Sequence, residues 1–248
     1  MRNLALYLVF CSLAASIAGS ANQQSQAQNY SLVLKDESAA DSPIKASGQV
    51  KVHRESSEGT ETGSIAFDVQ LQNVSQKPIL AYQITIDVIP ELGRSIHHTL
   101  LADLFFKKDL LPGEEDGYQN SLPALSYQTE SPSGTTNPRT TGASFNVVFV
   151  EFADGTSYGK KSSWGNALPN ARTAAIEQMK ASVQAFETSG EPRLRATLSA
   201  ALARADLPNQ TKDVLQSVKL TLDEKGLDAA LSRLNNFLSA AAKRNGVM

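Results

Sequence analysis

The chain has 248 residues, 41% of them hydrophobic and only 6% aromatic, and its 23 basic and 25 acidic residues leave a formal net charge of −2. At about 150 residues per domain the length accommodates one large or two small domains with a sizeable core. The near-neutral balance excludes the concentrated positive charge on which non-specific phosphate binding depends, so no nucleic-acid role is expected.

Residues 1–21 have the layout of a secretory signal peptide. Arg2 precedes the apolar run Leu4 to Ala18, the small residues Ala18, Gly19, Ser20 and Ala21 follow, and the polar stretch Asn22-Gln23-Gln24-Ser25 comes next. The apolar run is about 15 residues against the roughly 20 of a spanning helix, so cleavage after Ala18, Ser20 or Ala21 is expected and no membrane span after it. Cys11, the only cysteine, departs with the signal. Val9 and Phe10 stand before it in place of the small residues of a lipoprotein signal. The mature chain then has no thiol, and a bacterial periplasmic or extracellular location is expected. Residues 22–29 carry no apolar group larger than alanine and read as a flexible leader.

A β-domain is expected over residues 30–165. Its clearest strand is Ser64 to Gln72, where Ile65, Phe67, Val69 and Leu71 alternate with Ala66, Asp68, Gln70 and Gln72. A turn at Asn73 to Pro78 leads to a second strand with Tyr82, Ile84, Ile86 and Val88 on one face, ended by Pro90. Tyr30–Lys35 and Gln49–His53 alternate more weakly. Phe145–Phe152 is apolar at both parities through its middle, which implies a central strand covered on both faces. Asp154-Gly155 reads as a type I′ hairpin corner that returns Thr156–Lys160 against it. Pro112 to Gly142 holds four turn signals and reads as mostly loop. Roughly seven short antiparallel strands point to an immunoglobulin-like β-sandwich.

The run Leu71-Gln72-Asn73-Val74-Ser75-Gln76-Lys77-Pro78-Ile79, with Leu111-Pro112-Gly113-Glu114 further on, resembles bacterial secreted immunoglobulin-like domains of the FxLYD kind over about residues 64–160. There an Asn-Xaa-Ser turn joins two strands and a Pro-Gly-Glu turn precedes a later one. This chain has Ile84-Thr85-Ile86-Asp87-Val88 where the family's Phe-Xaa-Leu-Tyr-Asp string stands. The resemblance implies a non-catalytic module of an envelope or secreted protein.

Residues 166–248 read as a helical segment of about four helices, so the fold class is α+β. Ile176, Met179, Val183 and Phe186 form one apolar stripe, Leu194, Leu198 and Leu202 a second, Leu215, Val218 and Leu222 a third, and Leu227, Leu231, Leu234, Leu238 and Ala241 a fourth. Breakers fall at Gly190-Glu191-Pro192, Leu207-Pro208-Asn209 and Asp223 to Gly226, and Lys243, Arg244 and Gly246 close the last helix. The stripes pack on one another and on the outer face of the Phe145–Phe152 strand, or else form a bundle that engages a partner. Residues 22–165 carry net −6 and residues 166–248 net +3; the opposite signs favour docking of the two parts, and a solvated, unpaired distribution is the equal alternative.

Groups fit for chemistry are sparse. His97 and His98, adjacent on an extended chain, point to opposite faces and cannot share a metal, and His53 stands apart, so no metal or other cofactor is expected. Glu114-Glu115-Asp116-Gly117 offers carboxylates without the spacing of a calcium loop. Trp164, Tyr158, Tyr118 and Tyr127 are candidate ligand contacts, able to stack on a sugar or peptide or to plug the ends of the sandwich. The expected function is a non-enzymatic module for protein–protein interaction in the bacterial envelope. A carbohydrate-binding module using those aromatics, and a hydrolase with an unrecognised site, are the alternatives.

Overall fold

The computed structural model describes residues 26–57, 60–89, 95–128 and 141–245. The expected signal peptide with Cys11, leader residues 22–25, Pro90, the turn signals of 129–140 and Gly246 lie outside the described residues. Within them, alternation of apolar and polar residues builds eight strands: β1 (Gln26–Asp36), β2 (Ile44–Ser57), β3 (Thr60–Asn73), β4 (Ile79–Ile89), β5 (Ile96–Asp103), β6 (Glu115–Gln128), β7 (Gly142–Phe152) and β8 (Ser157–Gly159). Three helices follow, α1 (Ser163–Ala203), α2 (Asn209–Lys225) and α3 (Leu227–Asn245).

The α+β class holds, but the sheet is mixed and curled where a purely antiparallel sandwich was expected. Its strand order is β5-β4-β7-β1-β2-β3-β6, with β8 added on β7. β1 causes the difference. Gln26 to Val33 pair antiparallel with β2, whereas Leu34 to Asp36 pair parallel with β7. A strand that changes partner midway bends the sheet into a half-barrel, so that Val50, Phe67, Val69 and Leu71 from one side meet Ile84, Ile86, Phe145 and Val147 from the other in one core. β1 also takes in residues 26–29, which correct the expected leader: they are polar, yet as a paired strand they need only main-chain partners.

Two further expectations are corrected, and a third, that β7 is a central strand covered on both faces, holds. β6 occupies part of the segment read as loop; it is the last strand of the order, paired on one side with β3, and an edge strand tolerates the Gly117 and Pro123 that its sequence carries. β7 is apolar at both parities because its register against β4 shifts between Gln83 and Ile84. Ala143, Phe145 and Val147 face the core before this bulge, Val150 and Phe152 after it, and Phe149 turns outward to pack with Leu168 and Trp164. The β7–β8 corner is not type I′: Gly155 N–H donates to Phe152 O at 3.0 Å and Phe152 N–H to Thr156 O at 2.9 Å, a three-residue loop with Gly155 left-handed at φ 81°. The Asp154 carboxylate holds that loop by accepting from Thr156 N–H and its hydroxyl, with Lys77 Nζ 2.8 Å away. Lys77 and Thr156 together keep its carboxyl far below the usual range.

The helical part begins at Ser163, three residues before the expected boundary. Ser162 caps α1, its hydroxyl accepting from Gly165 N–H at 3.3 Å and donating to Gln83 Oε1 on β4 at 2.5 Å. A Cβ at residue 165 would stand 3.2 Å from the Phe149 ring, so glycine is what lets the first turn of α1 lie on β7. α1 breaks at Ser189 and Gly190, one of the expected breakers, so its two arms with α2 and α3 make four helical pieces. The stripes share one core with Leu80, Phe105 and Phe106, contributed by β4 and by the chain after β5. The helices therefore dock on the sheet, chiefly through those three residues and less through the face of β7. The buried line of α3 is Ala230, Leu234, Phe237 and Ala241, with Leu227, Leu231 and Leu238 on its flanks. On α1 it runs through Leu168, Ala171, Ala175, Met179 and Ser182. No helix among the described residues is long and apolar enough to cross a membrane.

Candidate interaction cleft

β5 and β6 are the two ends of the strand order, and side chains join them across the open side of the half-barrel. His98 on β5 stacks on Phe67 at 4.9 Å between ring centroids, and its Nε2 lies 2.7 Å from the Tyr118 hydroxyl on β6, which also accepts from Asn120 Nδ2 at 2.8 Å. Tyr82 on β4 donates its hydroxyl to Asp116 at 2.8 Å, and burial together with the Asp116 charge holds that phenol protonated far above its ordinary range. His97 faces outward, its Nδ1 2.6 Å from Asp87 Oδ1. The adjacent histidines do lie on opposite faces.

Burial, and then the charge of His97, lower the His98 pKa from its usual 6.5. The unfolded chain therefore takes up this proton more readily than the folded one. The seam's contribution is complete above about pH 6.5 and is lost as pH falls through the depressed folded-state value. Urea melts at pH 7.5 and 5.5 should show a steeper loss of stability on acidification for the native chain than for His98→Phe, which keeps the stacking but cannot titrate. Parallel pH dependences would remove His98 from this role.

The other candidates are dispersed. His53 Nδ1 lies 2.5 Å from Asn29 Oδ1 between β1 and β2. Glu114 bonds Lys108 and accepts from Leu111 N–H at 3.0 Å, while Asp116 serves Tyr82, so these carboxylates are turned to different partners. Among the described residues no three His, Cys, Asp or Glu side chains are grouped to hold a metal ion. Tyr118 and Tyr158 pack against the sheet core, whereas Trp164 packs with Ala81, Phe149 and Leu168 on the other face of β7, so the aromatics do not form one platform. Tyr127 pairs with Glu61 in the β3–β6 ladder, and its side chain lies outside those described.

What the fold does bring together is a cleft of about 980 Å³ between the sheet and α3. Leu80, Phe105, Phe152 and Leu111 give it apolar walls; the β7–β8 corner, Ala153 to Gly155, forms one end, and Asn236, Ser239, Ala240, Lys243 and Arg244 of α3 form the opposite side. Two buried or half-buried arginines fix its geometry. Arg172 of α1 makes five hydrogen bonds of 2.8–3.2 Å to the carboxylates of Asp103 and Glu151, tying α1 to the end of β5 and to β7. Arg244 of α3 donates to Phe105 O at 2.9 Å and to Asp109 Oδ1 at 2.5 Å. Both guanidinium groups lie over the Phe105 ring, at 4.8 and 5.4 Å from its centroid.

Sequence reasoning missed this site. Its residues come from five separate segments, and Arg172, Asp103 and Glu151 have no shared spacing. The one available signal was Phe105-Phe106, two aromatics beside Lys107 and Lys108 in a chain poor in aromatic residues. Comparison of the chain with protein-family models, with curated proteins and with solved structures found no match.

Proposed function

We propose that the chain is an exported, non-enzymatic interaction module of the bacterial envelope and that it engages a partner protein in the cleft between the curled sheet and α3. The observation that carries this reading is the cleft itself: about 980 Å³ of apolar-walled space within the size range of ligand sites, framed by side chains that are already locked in place. Preorganised walls lose little entropy when a segment docks between them. Export rests on the signal-like residues 1–21.

Kinship with immunoglobulin-like domains of the FxLYD kind belongs to the same proposal, and one contact supports it. The two turn signatures that carry the resemblance touch: Asn73 N–H donates to Glu114 O at 3.0 Å, Gly113 N–H to Asn73 O at 2.8 Å, and Asn73 Nδ2 to Leu110 O at 2.8 Å.

Crosslinking of residues 22–248 in an envelope extract tests the function. A stoichiometric protein should be captured by the native chain and by Trp164→Ala, and lost from Ser239→Trp, which fills the cleft from an exposed position on α3. Equal capture by Ser239→Trp would place the interaction elsewhere, and loss with Trp164→Ala alone would move it to the aromatic side of β7.

A further inference from the structure

The chemistry of the partner is written in the charges of the cleft, and this step rests on the reading just proposed. The chain as a whole has a net charge of −2, yet the cleft is lined by Lys107, Lys108, Arg172, Lys243 and Arg244 against only Asp109, Glu151 and Asp154. Each of those three carboxylates already has a cation: Asp109 has Arg244, Glu151 has Arg172, and Asp154 has Lys77. Lys108 is neutralised in turn by Glu114. Lys107 and Lys243 are exposed and take part in none of the ion pairs among the described residues. Both line the cleft, Lys107 on the chain after β5 and Lys243 on α3, whose Arg244 reaches Lys107 O with its guanidinium at 3.4 Å. Arg172 faces Asp103 as well as Glu151, so the cleft's side chains and their ion partners amount to six cations and five carboxylates, a net charge of +1, and the ammonium groups without a carboxylate are those of Lys107 and Lys243. Leu111, which lines the same cleft, is 39% exposed.

We propose that the cleft recognises an acidic, apolar peptide segment of the partner, whose large apolar side chain lies against Leu111 and Phe152 while flanking Asp or Glu carboxylates meet Lys107 and Lys243. Apolar walls alone would accept any hydrophobic segment, and the ammonium pair supplies the selection. A basic segment would leave like charges facing each other, and a neutral one would leave both ammonium groups partly desolvated without a partner. Asn236 and Ser239 on the facing side of α3 add an amide and a hydroxyl for the segment's main chain.

The test is selection of random dodecapeptides on the folded chain, followed by fluorescence polarisation with the enriched peptides. The expected consensus places Asp or Glu on either side of Leu, Phe, Met or Trp. Its affinity should fall at least tenfold on Lys107→Glu with Lys243→Glu, recover when the peptide's acids are exchanged for lysine, and weaken with added salt. A neutral or basic consensus, or less than a twofold change on charge reversal, overturns the acidic recognition even where Ser239→Trp still abolishes binding and the cleft remains the site. Enriched peptides that bind Ser239→Trp unchanged overturn the cleft reading itself. No enriched peptide, together with binding of sodium oleate that Ser239→Trp abolishes, assigns the cleft to a lipid anion and overturns the peptide.

Discussion

Replacing Arg172 with alanine is expected to cost about 3–5 kcal/mol of stability, the loss typical of removing one side of a buried ion pair. The reason lies in what stays behind. Arg172 is 8% exposed, and the two carboxylates it satisfies, Asp103 and Glu151, are 17% and 19% exposed. Without the guanidinium, two like charges remain side by side with little access to water, and Phe105 loses one of its two cation contacts. The penalty should shrink on acidification, because protonation removes the like charges that the variant leaves facing each other without a counter-ion. Urea unfolding at pH 7 and pH 4 measures both effects. The combined change Arg172→Met, Asp103→Asn and Glu151→Gln should recover most of the loss, since it removes the charges together. A deficit below about 1 kcal/mol for Arg172→Ala would mean that the triad behaves as a surface pair and that apolar packing alone docks the helices.

The same triad shows where a sequence stops being informative. Period was legible: the alternation of Ile65, Phe67, Val69 and Leu71 became one inward face of β3, and the break at Gly190 became the kink of α1. Those signals are local, set by side chains two to four residues apart. Arg172 lies 69 residues from Asp103 and 21 from Glu151, and nothing in their neighbourhoods distinguishes them from solvated charges until the sheet has curled and α1 has landed on it. β6 was hidden for a related reason. An edge strand needs apolar residues on only part of its length, so Glu115 to Gln128 reads as turn chemistry until the β3 ladder organises it. The apolar run of β7 did announce a strand covered on both faces, but the one-residue shift in register that decides which of its side chains face the core and sends Phe149 to the helices needs the β4 ladder to be seen. The cleft combines all three difficulties: it stands on a long-range ion cluster, the irregular chain between β5 and β6, and a turn at the end of a bulged strand.

Asn73 gives the second large effect and links the stability of the fold to the cleft. Its side chain is fully buried and its amide is saturated: Nδ2 donates to Lys77 O at 2.9 Å and to Leu110 O at 2.8 Å, and Oδ1 accepts from Ser75 N–H at 3.0 Å and from the Ser75 hydroxyl at 2.7 Å. Asn73→Ala removes four hydrogen bonds and leaves a void, with an expected loss of about 2–4 kcal/mol. Asn73→Asp keeps the shape but turns an acceptor toward the carbonyls of Lys77 and Leu110, so burial and those dipoles raise its carboxyl above the ordinary range. A raised pKa makes the charged form the costly one. Asn73→Asp should therefore be least stable at neutral pH and gain on the native chain as pH falls, when the protonated acid can again donate to Leu110 O, whereas the deficit of Asn73→Ala should change little with pH. Urea melts between pH 7 and pH 4 separate the two, and an Asp variant as stable as the native chain at pH 7 would show that these carbonyls are free to turn away. Leu110 is followed by Leu111, and the anchored turn carries Lys107 to Leu111 along the cleft. Either substitution should thus loosen that wall and weaken capture of the partner before the chain unfolds, an effect read by crosslinking at a temperature where both variants remain folded.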